Sequence, residues 1–515
     1  MANIILDKER RLIPNWRSFG KTTVLGELNS FSNIKSNENL VFGIDDYLID
    51  WKANKSAAYA SDLLSAAIVN NFTDDKEVIS AANFIYNLGD RATKSQIKLA
   101  ESILNRNSND IIEFDNFDKI DNLLDVVNVI SIREKISDLK NVLKKYPNNA
   151  ILYVELSRLY SIIGQEDKSI SSMKTALHIS NDNRFILRSA TRLFTHVNYD
   201  DDENINFIHR ILKKTKATLF DPWLLSAELS LATLKNQNSK FIKQGYTLIN
   251  SKNYDLFSLT ELQSSLATIE LLNGSHKKSR ELFHKSLVKP NDNSLAQFEW
   301  ATTKDDKIKL DKLPADIKLD FEAKAIDSFN SKKYDESIKN AIKWFADMPF
   351  SKRPIMFGSN LATIILKDHQ LSIDFLNSGL ISHPNDPQII NNLAYSFSLN
   401  NEPTKALSLL NKVNTSDLDY TTEVCLIATR GLAQYKLGNI EEGRNLYMEA
   451  IQSTKDKNER ELNWIAILNF AREELLVNPK EKENLSALID KIPDDSKNVE
   501  ITTLKKDVKE IIEQI

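Results

Sequence analysis

Gly20, Lys21, Thr22 and Thr23, in the stretch "RSFGKTTVLGEL", have the ending of a phosphate-binding loop. The chemistry would be nucleotide hydrolysis. In G-x-x-x-x-G-K-[ST] the glycines let backbone amides approach the phosphates, and the lysine reaches the outer ones. The first glycine of that pattern falls on Asn15, and the preceding "DKERRLIPNW" is charged and broken by Pro14 where a buried strand is needed. The stretch therefore reads as a surface turn followed by a short apolar segment. No nucleotide, metal or other cofactor is expected.

Other residues capable of chemistry are scattered. His178, His196, His209, His276, His284, His369 and His383 form no H-E-x-x-H pair, and the single cysteine, Cys425, has no second cysteine to complete a zinc site. Cys425 lies in "TTEVCLIATRGLA", on an apolar helical face, which predicts a buried inert thiol. "NYDDDEN", residues 198–204, lacks the alternate spacing of a calcium loop; its acids suit the positive end of the helix that follows. Asp45, Asp46 and Asp50 in "GIDDYLIDW" read as a turn and a helix cap rather than a catalytic carboxylate pair. No catalytic residue is assigned and the chain is not read as an enzyme. Four cations and two aromatics, Arg10, Arg11, Arg17, Lys21, Trp16 and Phe19, gather in one short segment. They suit docking onto an acidic protein surface, with nucleic acid as the weaker alternative.

Composition limits what must position these groups. With 67 basic and 71 acidic residues the net charge is -4, which gives no global pull towards nucleic acid. At 515 residues the chain is several domains or one repeat array. Twelve glycines and twelve prolines are few for this length, which favours long runs of helix over sheets and loops. One cysteine suits a reducing compartment, and there is neither a signal-like apolar core in "MANIILDKERRL" nor an eighteen-residue apolar run. A soluble cytoplasmic protein without a membrane partner is expected, and the frequent Asn and Lys suggest a bacterial genome.

Residues 1–54 lack a sustained helical period and are read as a non-repeat arm. From residue 55 onward, apolar stripes at helical spacing recur in segments joined by short polar turns. In residues 150–183, Tyr153, Leu156 and Tyr160 share one helical face, Gly164 allows a turn, and Ser169, Met173 and Ala176 share a face of the next helix. Leu266, Ala267, Gly274, Ser279 and Phe283 repeat the arrangement. So do Leu393, Ala394, Phe397 and Ala406, and then Gly438, Gly443, Tyr447 and Ala450, while Ala325, Ser337 and Ala341 match more loosely.

This spacing resembles the tetratricopeptide repeat, a helix-turn-helix unit of about 34 residues. The resemblance covers a third to a half of the chain, and glycines 164, 274 and 438 are not separated by multiples of that period. It implies an all-α, right-handed superhelical solenoid of antiparallel helix pairs. The expected organisation is a first repeat block over 55–301, a joint at 302–316, a second block over 317–475, and C-terminal capping helices over 476–515.

In the tetratricopeptide family the first helices line a groove that binds partner proteins. Carried onto matching positions, the groove would include Val154 and Arg158, then Asn391, Tyr395 and Ser398, then Ala428, Leu432 and Tyr435, with Arg17 and Lys21 as further partner contacts. The function so implied is a protein-protein interaction scaffold or adaptor in a larger assembly. The alternatives are a regulator or sensor of a partner enzyme, in stress response or phage (antiviral) defence, and nucleic-acid binding through residues 10–21.

Overall fold

The computed structural model describes residues 44–69, 74–92, 94–104, 123, 127–145, 147–196, 202–251, 253–309, 317, 320–414, 416, 418–496 and 498–515. Among these residues there is no strand, and helices joined by short turns account for the ordered backbone. One compact unit runs to Asn330; a second begins at Ser331 and also takes Leu123 and Val127. Each is a stack of antiparallel helix pairs.

The pairs share a local construction that begins with small residues. Helices Ala150–Ile162 and Glu166–Ile179 meet where Ser157 and Ser169 each donate a hydroxyl to the other's carbonyl, at 2.7 and 2.8 Å. Helices Leu256–Leu272 and His276–Ser286 meet at Ala267 and Ser279, where Ser279 Oγ donates to the Ala267 carbonyl at 2.8 Å. In the second unit the equivalent positions are Ala394 with Ala406 and Gly431 with Gly443, all buried. In each pair the two small residues are twelve positions apart. Backbones approach there, and a larger side chain would hold them apart.

The turn between them is equally regular. Seven residues after the first small residue comes a left-handed backbone: Gly164, Gly274, Asn401 and Gly438, at φ 68°, 79°, 59° and 84°. The next amide then bonds back five residues: Gln165 to Tyr160, Ser275 to Glu270, Glu402 to Phe397 and Asn439 to Gln434, at 2.8–3.0 Å. This closure satisfies carbonyls that the helix end leaves free. Ala325, Lys332 (φ 60°) and Ser337 keep the same spacing in the chain. Not every described hairpin keeps it: helices Pro222–Leu234 and Ile242–Asn250 share the turn, at Asn236 (φ 51°), but Leu229 stands seven residues before it. Helix Lys352–Asn360 continues as a π-helical turn, Leu361–Leu366, before left-handed Lys367. Ser359 to Ser372 accordingly spans thirteen positions, the extra residue being taken up by the wider turn.

Among the described residues, eight first helices are capped at the opposite end by a short polar side chain. In the first unit the acceptors are Asn149, Asn183, Asp221, Asp255 and Asn291, separated by 34, 38, 34 and 36 positions. In the second unit they are Ser351, Asp386 and Asp419, separated by 35 and 33. Two of the aspartate caps also hold the preceding first helix through a cation. Arg184, at the start of helix Arg184–His196, pairs with Asp221, and Lys352, at the start of helix Lys352–Asn360, pairs with Asp386 at 2.6 Å. The four side chains are largely buried, so each carboxylate compensates both backbone amides and a desolvated cation.

Two segments differ from the sequence reading. Within the expected arm, Ile44–Ala53 is a helix, not a turn and cap. Its Trp51 is fully buried edge-on against Phe84, and Tyr47 donates to Ser180 Oγ at 2.9 Å. Tyr47 and Trp51, one turn apart, supply the apolar face that the acids obscured. The joint was expected at 302–316, whereas the division of the chain falls after Asn330. Helix Phe321–Asn330 is tied to helix Asp292–Thr302 by Asn330 Nδ2 donating to Glu299 Oε1 at 2.7 Å. Residues 310–316 of that joint lie outside the described residues. At the other end, helices Lys482–Ile489 and Val499–Gln514 seat Leu485, Ile489, Ile501, Leu504 and Val508 in one core with Leu468, Ala471 and Leu475.

Candidate partner-binding site

The residues expected to line a first-helix groove are mostly core. Val154, Ser398 and Leu432 are fully buried, and Asn391, Tyr395, Ala428, Tyr435 and Arg158 nearly so. The groove assignment is corrected for these positions: in this structure they offer no surface to a partner. The physical reason is that a first helix is flanked by a first helix on either side as well as by its own second helix, so more than one stripe is covered. Arg158 is turned onto its own helix, donating from Nε and Nη2 to Glu155 at 3.1 and 3.0 Å. Arg17 and Lys21, like the whole basic-aromatic segment and the "GKTT" turn, lie outside the described residues.

Tyr395 and Tyr435 do come together, but in a brace. Both reach helix Arg460–Val477, which sequence reasoning left out of the site. Tyr395 Oη donates to Asn469 Oδ1 at 2.8 Å and lies 3.4 Å from Arg472 Nη1. Tyr435 Oη donates to Glu474 Oε2 at 2.5 Å, and Arg444 forks onto the same carboxylate at 3.1 and 2.8 Å. Lys436 and Arg472 hold Glu473 at 2.9 and 2.7 Å. Burial opposes ionisation of both glutamates, yet their cationic and hydrogen-bonding partners outweigh it and hold the carboxyls below the usual range. Burial, reinforced by Glu474, pushes the Tyr435 phenol up, and burial does the same to Tyr395. The acids stay ionised and the phenols stay protonated near neutrality, which suits a fixed brace and not proton transfer.

Other apparent chemistry resolves in the same way. His209 Nε2 lies 3.1 Å from Glu228 Oε1, and Ser239 Oγ donates to Glu228 Oε2 at 2.5 Å, all three being buried. The carboxylate stands between the hydroxyl and the imidazole, so the imidazole cannot act as base on that serine. Burial pushes the Cys425 thiol up to about 11, away from nucleophilic use. Among the described residues no group of His, Cys, Asp and Glu could hold a metal ion.

A different surface in the first unit is open. Helices Glu166–Ile179 and Asp202–Lys214, second members of successive pairs, border a cleft of about 650 Å³ that ends at the short turn Lys216–Leu219. Half-buried Phe207 and Ile211 form part of its floor, and exposed Lys174, His178, Lys214 and Lys216 stand around it. A neighbouring hollow of about 460 Å³ shares Lys174 and His178 and continues along helix Glu166–Ile179. Among the described residues none of the three lysines is paired with a carboxylate; Lys174 instead sits 5.6 Å above the Phe207 ring. Cations in the last turn of a helix offset its carbonyl end, which accounts for His178 and Lys214 singly. It does not account for their convergence with Lys174 and Lys216 on an apolar floor.

Neither a family model nor a curated protein matches the chain. Solved structures with which it aligns along its length include a human IFIT1 dimer with PPP-AAAA, 11% identical over 96% of this chain and 97% of that one, with a TM-score of 0.32. The Cut9–Hcn1 hetero-tetramer of the APC/C is 12% identical over 95% and 99%, with a TM-score of 0.24. Naa15/Naa10 bound to HypK-THB is 12% identical over 93% and 80%, with a TM-score of 0.26. Likeness at this level says nothing about a ligand or a partner.

The cleft residues escaped the sequence reading for an identifiable reason. The helix after "NYDDDEN" stands out in the sequence only by the acids at its start. Phe207 and Ile211 are one turn apart and are followed by Lys213, Lys214 and Lys216, while Lys174 and His178 have the same spacing in the preceding second helix. Two such faces on neighbouring second helices are a signal that a search confined to first helices passes over.

Proposed function

We propose that this protein is a non-catalytic interaction scaffold, an adaptor in a larger assembly, with a partner protein docking on the second-helix cleft of its first unit. The observation that carries this reading is the cleft itself, where three lysines without carboxylate partners among the described residues share a cleft with an apolar floor. Elsewhere, enclosed charges such as Lys352 and Arg472 are paired inside the stack. An open apolar surface rimmed by cations supplies both hydrophobic burial and electrostatic choice of partner.

The test is affinity capture of the full chain from its native host at low ionic strength, with a nuclease-treated control and mass spectrometry. It is run beside a Lys174→Glu/Lys214→Glu/Lys216→Glu variant. The wild type is expected to retain a stoichiometric protein after nuclease, and the variant to lose it. Recovery of nucleic acid alone, or equal retention of the same protein by the variant, would overturn the proposal.

A further inference from the structure

We infer that the cleft bordered by Lys174, His178, Phe207, Ile211, Lys214 and Lys216 takes an acidic peptide segment carrying an apolar anchor. This deepens the scaffold reading and rests on it for the identity of the cleft as a docking surface. Lys174, Lys214 and Lys216 line the same cleft as the apolar side chains of Phe207 and Ile211, and Lys174 lies over the Phe207 ring. A ligand that satisfies both must present carboxylates on the two flanks of an apolar side chain. Lysine suits this role, since its compact ammonium on a flexible stem follows carboxylates at varied spacing, whereas planar forked recognition of phosphate favours arginine. Among the described residues no arginine lines the cleft.

The aromatic ring argues in the same direction. Single-stranded nucleic acid needs an open aromatic face on which a base can stack. Phe207 has Lys174 above its ring, and Phe194 meets it at 6.1 Å with the ring planes at 75°. The ring and Ile211 are half-buried, and what they leave exposed suits an apolar side chain better than a stacked base. The cleft volume falls within the range of small-ligand pockets, and the adjoining hollow along helix Glu166–Ile179 gives the flanking residues a path. Among the cleft-lining side chains Asp182 is the one acid, and it already has a partner. The cleft's three lysines outnumber that acid, so the ligand's carboxylates meet a mainly positive field.

Fluorescence anisotropy on the full chain tests this with a labelled synthetic peptide in which glutamates flank a single leucine. Saturable binding is expected, weakened by added salt. Lys174→Gln/Lys214→Gln/Lys216→Gln should weaken it roughly tenfold. Serine in place of the peptide leucine should weaken it by about tenfold or more. Lys277→Gln/Lys285→Gln/Lys289→Gln, which neutralises three exposed lysines outside the cleft, should leave it unchanged. The lysines are exposed, so neither triple variant threatens folding. Absence of saturable binding, binding indifferent to the leucine or to the cleft lysines, or preferential lysine-dependent binding of oligothymidylate would each overturn the inference.

The two readings fail separately. If the peptide does not bind but the glutamate variant loses its native partner, the ligand class is wrong and the docking surface stands. If the peptide binds through the cleft lysines while the native partner is retained by the variant, the ligand class stands and the docking surface lies elsewhere.

Discussion

Asp386 carries two duties, and substitutions can separate them. Its Oδ1 accepts from the amides of Gln388 and Ile389 at 3.0 and 2.9 Å, capping helix Pro387–Leu399, while Oδ2 receives Lys352 Nζ at 2.6 Å. Lys352 is 4% exposed, so removing its anion leaves an ammonium in a place water scarcely reaches. Breaking a buried pair from one side costs about 3–5 kcal/mol, and the partial exposure of Asp386 reduces this to on the order of 2–3. Asp386→Asn keeps the cap and should lose that amount; Asp386→Ala should lose about 1 kcal/mol more. Lys352→Met removes the cation instead of stranding it and should be near neutral. Lys352→Met/Asp386→Asn should therefore recover most of the loss, a coupling of about 2 kcal/mol. A chain of this size need not unfold in one step, so the assay is native-state hydrogen exchange of the amides in Lys352–Asn360 and Pro387–Leu399. Asp386→Asn should accelerate them roughly 30–150-fold. If it exchanges like wild type, or if Lys352→Met is as damaging as Asp386→Asn, the cap does not anchor the preceding helix.

Gly443→Ala would place a Cβ 2.6 Å from the Tyr435 ring and 2.9 Å from the Gly431 carbonyl oxygen, and Tyr435 is held by Glu474 and has no room to retreat. A loss of about 1–3 kcal/mol and a Tm several degrees lower by calorimetry are expected, and an unchanged Tm would refute the close crossing. Burial, with Asp50 adding its charge, pushes the Asp62 carboxyl from 3.8 up to about 8. A folded-state pKa above the unfolded one means the group's contribution is present below 3.8 and is lost as pH rises through about 8. Asp62→Asn should thus raise Tm by a few degrees above pH 8, with the benefit fading as pH falls; a benefit independent of pH would count against burial as its source. Cys425 should react slowly with maleimide at neutral pH and rapidly in urea, and fast labelling of the native chain would show that the thiol is not enclosed.

Much of the repeat construction was legible. Ser169, Ala267, Ser279, Ala394, Ala406 and Gly443 were all picked out as small residues on paired helices, and they are the crossing points. The repeat period was obscured because glycine was taken as its marker. The left-handed place is filled by Asn401, Lys332 and Lys367 as well as by Gly164, Gly274 and Gly438, so counting glycines skips hairpins. The caps are the better marker, because the orphan amides of most first helices take a short polar acceptor, whatever packs behind it. Which face stays open was not legible. Tyr395 and Tyr435 occupy groove positions by spacing, but the charged turn of helix Arg460–Val477 that encloses them comes from 74 and 39 residues further along the chain. Periodicity assigns a side chain to a face of its own helix and is silent on what a later helix lays across it.

The recurrence of the same closed turn has a kinetic consequence. Each hairpin satisfies its own helix ends and crossing point with residues a few turns apart, so its formation waits on no distant segment. Chains dominated by such local pairing fold quickly and can begin at several places. During synthesis, the pair Ala150–Ile162 and Glu166–Ile179 is complete once Ile179 has cleared the ribosome, some three hundred residues before the chain ends. The Lys174–His178 wall of the cleft is thus laid down early, and the cleft is finished when the next pair arrives. On the proposed function, a partner then engages a nascent chain whose unit from Ser331 onward has not yet been made.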